Sequence, residues 1–235
     1  MQFDRHFYAD ASEKPMSPSA SFGRTKSIQA VTLTDLLVLI ACLGILAALL
    51  PAALAKSKAR SKRLGCTNCL KQIGLSFHSW SIDNGDCFPM QLSVTNGGTM
   101  ELVPGGTVYP HFQVMSNELS TPRILRCPND ERRTYGTDFT TLSDSNLSYF
   151  LNVDSIMGDS TSLLCGDRNI TNRAPSGGRL VHLTNPAAMA WNREIHSQKR
   201  GNLLFGDGSV AQFSSQEVGR AFQIRDSVTN RLAVP

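Results

Sequence analysis

The sequence predicts an α+β chain: a long N-terminal transmembrane α-helix followed by a small globular domain built on an antiparallel sheet. Three observations carry this. Residues 36–55, LLVLIACLGILAALLPAALA, hold no charge over twenty positions, and at about 1.5 Å of rise each they span roughly 30 Å, the apolar thickness of a bilayer. Beyond a basic cluster, Cys66, Cys69, Leu70, Ile73, Phe77 and Trp80 recur every three or four residues, the period of a helix with one covered face. Farther on, short runs such as 147–153 and 162–166 alternate like strands between turn residues.

Taken in order, residues 1–29 are polar, with Ser, Lys/Arg and scattered Pro and no apolar period, which reads as a disordered leader. Met16 offers a second start. The helix is expected from Thr32 to Ile82, interrupted only by Pro51, whose ring and missing N–H predict a kink. Residues 83–86, DNGD, stop it with turn chemistry. Between 88 and 128, Gly97-Gly98 and Pro104-Gly105-Gly106 divide the chain into loops with one or two short strands, and a short helix starts at His111. Residues 126–130, RCPND, read as a strand end and a turn. Residues 171–187 read as a loop around Ser176-Gly177-Gly178. Asp207-Gly208 between apolar runs predicts a two-residue hairpin. Ser214 or Ser215 then caps a last helix, with Val218, Ala221 and Phe222 inward.

The domain organisation that follows is 1–30 leader, 31–55 membrane helix, 56–82 amphipathic continuation and 83–235 globular domain. Formal charge is +4, yet residues 64–235 hold 14 Lys/Arg against 15 Asp/Glu. The basic excess is therefore local to Lys56, Lys58, Arg60, Lys62 and Arg63, which suits lipid headgroups and argues against a nucleic-acid partner.

Six cysteines sit at 42, 66, 69, 87, 127 and 165. Cys66 and Cys69 form a CxxC, but a second CxxC or an HxxxH is missing from the sequence, so no metal site and no cofactor is expected. In an oxidising compartment a disulfide from Cys66 or Cys69 to Cys127 is expected, with the connectivity open. No nucleophile with a positioned base can be traced, so no catalytic residue is assigned and the chain is read as a non-enzyme. Asp207 is accounted for by its turn.

Residues 30–35, AVTLTD, followed by the apolar helix and LGCTNCLKQIGLSF, resemble the cleavage and methylation segment of type IV prepilins and type II secretion pseudopilins. The resemblance is strongest to the planctomycete and verrucomicrobial group that ends in a His-X9-Asp-Gly motif, through PHFQVMSNELSTPRILRCPNDERR, SYFLNVDS, LLCGDRN and residues 191–210. It implies cutting between Ala30 and Val31 by a prepilin peptidase and methylation of Val31. It makes Asp35, where the family has Glu, the carboxylate that neutralises a neighbouring subunit's amino terminus. It also implies that Pro51 permits local unwinding during packing, and that His196, Asp207 and Gly208 are the family motif, here with ten intervening residues where the family has nine. A calcium site at Asp207, as in major pseudopilins, is disfavoured by the low acid density nearby.

The function so implied is a structural subunit of a secretion or pilus-like filament. Its expected partners are prepilin peptidase, other pilin-like subunits, inner-membrane lipid and the secretion machinery, and its expected location is single-pass in the inner membrane with a periplasmic domain. Four Lys/Arg before the helix and five after it make the positive-inside rule point the other way. The competing reading is a membrane-tethered binding protein that does not polymerise. As a bland residue, Asp35 is a first-turn acid favoured by the helix dipole.

Overall fold

A computed structural model describes residues 32–171, 180–183, 189–196, 198–223 and 230–235, with 49, 50, 52, 53, 55, 56 and 59 described by their backbone alone. The leader, Ala30 and Val31, and residues 172–179 and 184–187 of the expected loop lie outside the described residues, while Leu180–His182 within that loop form a strand. The chain divides into two units, Met1–Leu50 and Pro51–Pro235.

The long helix is present as α1, Leu33–Asp83, 51 residues with Pro51 inside it. Among the described residues, however, no helix is long and apolar enough to cross a membrane. This overturns the transmembrane character assigned to the helix in the expected fold class and the single-pass inner-membrane location. The α+β class with an antiparallel sheet is as expected.

In the first unit, Thr32 caps α1. Its Oγ1 accepts from the Asp35 N–H at 3.2 Å and its own N–H donates to Asp35 Oδ2 at 3.0 Å, a reciprocal capping box that satisfies two orphan donors. Leu36, Leu37, Val38, Leu39, Ile40 and Leu43 are all exposed.

In the second unit α1 becomes one-sided. Cys66, Leu70, Ile73 and Phe77 are fully buried, and Phe77 meets Phe88 and Phe112 edge-on at 5.5 and 5.8 Å. Gly74 lets the helix approach the sheet, since a Cβ there would stand 2.7 Å from Leu204 Cδ1. The helix ends where Gly85 and Asp86 take φ of 68° and 58°, with the Asn84 amide donating to Trp80 O at 2.7 Å.

From 88 to 128 the expected strands are replaced by 3-10 turns at Pro89–Gln91, Val94–Asn96, Met100–Gly105 and Pro122–Leu125, plus short helices α2, Tyr109–Gln113, and α3, Ser116–Leu119. Pro89, Pro110 and Pro122 sit in the first turns of three of these. A fixed φ and no N–H suit a first helical turn and spoil a strand interior. Residues 126–130 likewise form a turn, with the Asp130 N–H donating to Cys127 O at 2.9 Å.

Six strands make an antiparallel sheet: β1, Tyr149–Asn152; β2, Leu163–Asp167; β4, Leu180–His182; β6, Arg200–Phe205; β7, Val210–Ser214; and β8, Arg231–Ala233, in the order β4-β8-β1-β2-β6-β7. A two-stranded ribbon pairs β3, Ile170–Thr171, with β5, Ala190–Trp191. Alternation splits the sheet between two cores. Tyr149, Leu151, Cys165 and Leu204 face the α1 side, whereas Phe150, Leu163, Leu203 and Phe205 join Trp191 and the last helix, α4, Val218–Gln223. Val218, Ala221 and Phe222 point inward as expected, and the Glu217 carboxylate accepts from the Ser214 N–H at 2.9 Å.

The β6–β7 connection differs from the two-residue hairpin. Gly208 N–H donates to Phe205 O, and Phe205 N–H to Ser209 O, both at 2.9 Å. Three residues therefore form the loop, and among them Gly208 alone has a positive φ, 81°. This is the three-residue hairpin with a left-handed last position. Asp207 does not need a left-handed backbone. Its carboxylate accepts from the Ser209 N–H at 2.9 Å.

Candidate functional site

The second unit concentrates its buried polar chemistry where four distant segments meet. Cys66 comes from α1, Cys127 from the turn after Pro122–Leu125, Asp167 from the end of β2 and His196 from the segment leading into β6. One donor atom from each lies within 4.8 Å of the others, and all four residues are buried. Helical period turns Cys66 inward with Leu70 and Ile73, while Cys69, one turn on, is only half-buried and stays outside the group.

Asp167 organises the cluster. Its Oδ2 accepts from the Asn202 N–H at 2.7 Å, from the Asn202 side-chain amide at 3.0 Å and from His196 Nε2 at 3.1 Å. Its Oδ1 accepts from the Cys66 thiol at 3.2 Å, which also lies 3.6 Å from the Tyr149 hydroxyl. The other imidazole nitrogen, Nδ1, is 3.2 Å from the Asn129 amide. Burial, with Cys127 and Asp167 alongside, pushes the Cys66 thiol well up. Burial also raises Cys127, but hydrogen bonds from Cys66 and His196 outweigh it and bring Cys127 below the ordinary thiol value. For His196 burial favours the neutral ring, yet Asp167 and Cys127 prevail and push it up to about 10.

Beside the cluster, Arg168 grips buried Asp130 with two bonds of 2.7 and 2.8 Å and reaches Glu194 at 3.1 Å. A cleft of about 470 Å³ adjoins His196 and is lined by Lys58, Lys62, Arg63, Arg193 and Arg200 among others.

Chemically, thiol, imidazole and carboxylate stand in the order of a thiol nucleophile with its base and orienting acid. Cys127 and Asp167 are fully buried and His196 is 3% exposed, so the sulfur is closed to solvent in this structure. Two sulfurs, one nitrogen and one oxygen converging on a point are instead a donor set able to hold a metal ion. The chain matches no family model, no curated protein and no solved structure.

The residues singled out from the sequence are distributed as follows. Cys66, Cys127 and His196 come together, and all six cysteines are free thiols. Asp35 is exposed in the first turn of α1, its carboxyl held low by its hydrogen bonds with Thr32. Pro51 lies within α1 at the boundary of the two units. Asp207 and Gly208 occupy the hairpin tip, and the six residues of β6 separate them from His196, about 20 Å at the rise of a strand. The motif is thus split between two ends of one strand.

Sequence reasoning missed Asp167, Asn202, Asn129 and the Asp130–Arg168 pair. The available signal was polarity inside apolar strands: LLCGD ends in an acid and GNLLF begins with an amide, and buried polar groups need partners.

Proposed function

We propose that the chain is a pilin-like assembly subunit, cut by a prepilin peptidase between Ala30 and Val31 and packing its N-terminal helical segment against the same segment of other copies. The carrying observation is the surface of residues 36–46, where Leu36, Leu37, Val38, Leu39, Ile40, Leu43, Ile45 and Leu46 are 55–63% exposed. They cover every side of the helix. A helix apolar all round is buried in use, and no other described element of its unit covers it. Asp35, the only acid in that segment, gives the packing a polar register mark, because a carboxylate drawn into an apolar bundle needs a positive partner. The mature amino terminus of a neighbouring copy supplies one.

The test uses the full chain co-produced with a prepilin peptidase. N-terminal sequencing should find Val31, and electron microscopy should find filaments. Thiol oxidation should trap a dimer through Cys42, which is exposed on the same helix, and Cys42→Ser should abolish that dimer. Asp35→Ala should leave cutting intact and remove filaments. A chain that keeps Met1 or stays monomeric at every concentration would overturn the reading.

A further inference from the structure

We infer that Cys66, Cys127, Asp167 and His196 together bind one divalent cation of the zinc class. Zinc takes sulfur at about 2.3 Å and nitrogen or carboxylate oxygen at about 2.0–2.2 Å, so a tetrahedron of such donors has edges of roughly 3.3–3.8 Å. Here the Cys66 Sγ to Asp167 Oδ1 distance is 3.2 Å, and His196 Nε2 stands 3.1 Å from the other oxygen of the same carboxylate, Oδ2. No edge exceeds 4.8 Å. Closing a pair at that limit to a tetrahedral edge takes about 1 Å.

Three features set this cluster apart from an ordinary buried hydrogen-bond network. The donor set is soft and borderline, two thiols and an imidazole with one carboxylate, which selects zinc-like ions over magnesium or calcium. The ligands also have outer partners. Asn202 holds Asp167 Oδ2 and leaves Oδ1 turned toward Cys66, Asn129 meets the far nitrogen of His196, and the Tyr149 hydroxyl stands by Cys66 Sγ. Such supports orient metal ligands and raise affinity about 10–100-fold. Finally, two thiolates, one carboxylate and a neutral ring around a 2+ ion leave one negative charge, and the cleft beside His196 is rimmed by Lys58, Lys62, Arg63, Arg193 and Arg200 against two carboxylates, Glu131 and Glu194.

Four protein ligands close the coordination shell, so the role is structural. The ion would staple α1 to the end of β2, to the turn at Cys127 and to the approach to β6. The sequence conceals this because the CxxC divides its labour: Cys66 ligates and Cys69 does not.

The experiment loads the purified, reduced full chain with Co²⁺ and then displaces it with Zn²⁺. One equivalent should bind, with thiolate-to-cobalt charge-transfer absorption, and zinc should raise the midpoint of thermal unfolding as any ligand specific to the native state does. Cys69→Ser should bind as the wild type does. Cys127→Ser and His196→Ala should each weaken binding at least a hundredfold, and Asn202→Ala about tenfold. The wild-type cobalt spectrum is read without reliance on any variant's folding. Cobalt bound without the charge-transfer band would overturn the proposal. So would binding lost in Cys69→Ser but kept in Cys127→Ser, or a Cys66–Cys127 disulfide in freshly isolated, metal-free protein.

Discussion

Residues 36–46 and residues 66–80 belong to one helix, yet their side chains live in opposite surroundings. In the first stretch Leu36, Leu39 and Leu43, three or four positions apart, are each 55% exposed, as exposed as the residues between them. In the second, Leu70, Ile73 and Phe77 at the same spacing are fully buried while Leu75 is 71% exposed. The backbone is the same, and so is the aliphatic chemistry. What differs is the pattern: apolar on all sides in one stretch, apolar on one face in the other. A one-sided helix finds its cover within its own domain, whereas the all-round one is left uncovered among the described residues.

The comparison breaks most clearly under truncation. Phe77→Ala should destabilise the second unit by about 3–5 kcal/mol, the usual cost of emptying a packed aromatic site, read from the urea midpoint by circular dichroism. A loss under about 1 kcal/mol would mean that α1 is not the centre of that core. Arg168→Ala should cost a similar amount, about 3–5 kcal/mol, because it strands buried Asp130 without its counter-charge. Arg168 pulls the Asp130 carboxyl below its usual range although burial pushes it up. This stabilisation is therefore complete above the unfolded carboxyl's pKa of about 4 and is lost as pH falls through the lower folded value. The variant's acid unfolding should lack that step.

His111 sharpens the contrast through pH. Fully buried, with Nδ1 2.7 Å from the Thr99 hydroxyl, it is lowered by burial to about 4. Its neutral form is favoured by the fold, so stability is whole above pH ~6.5 and declines as pH falls toward 4, by roughly 3 kcal/mol. Urea midpoints that stay level across that window would refute this. Gly201→Ala should cost less, about 1–3 kcal/mol of overpacking, since its Cβ would stand 2.7 Å from the Trp191 ring. The smallest effect belongs to Leu39→Ala, within about 0.5 kcal/mol for folding of the second unit. The same change should weaken assembly, and a large folding effect with normal assembly would reverse the comparison.

How legible the fold was follows the same division. The amphipathic run from Cys66 to Trp80, the final helix and the alternating strands were readable because local period and burial agree there. Residues 88–128 were not, since several short turns stacked on a core carry no period, and the prolines that start them look like breakers in isolation. The membrane reading came from an uncharged run long enough to span a bilayer, with basic residues after it and a prepilin-like start, and such a run cannot tell lipid from any other apolar surrounding. The cluster was half legible: cysteines and His196 stood out by type, but their meeting depends on register between segments up to about 130 residues apart, which no local pattern encodes. Asp167 was hidden because a single acid at the end of an apolar strand looks like a strand terminus.

The sheet places one tryptophan in each of the two cores, Trp80 among the residues packed with α1 and Trp191 among those packed with α4. The fold therefore comes with an optical probe in each layer. Replacing either indole with phenylalanine leaves an emitter that watches one side alone, so the order in which the layers come apart can be followed by colour without attaching a dye.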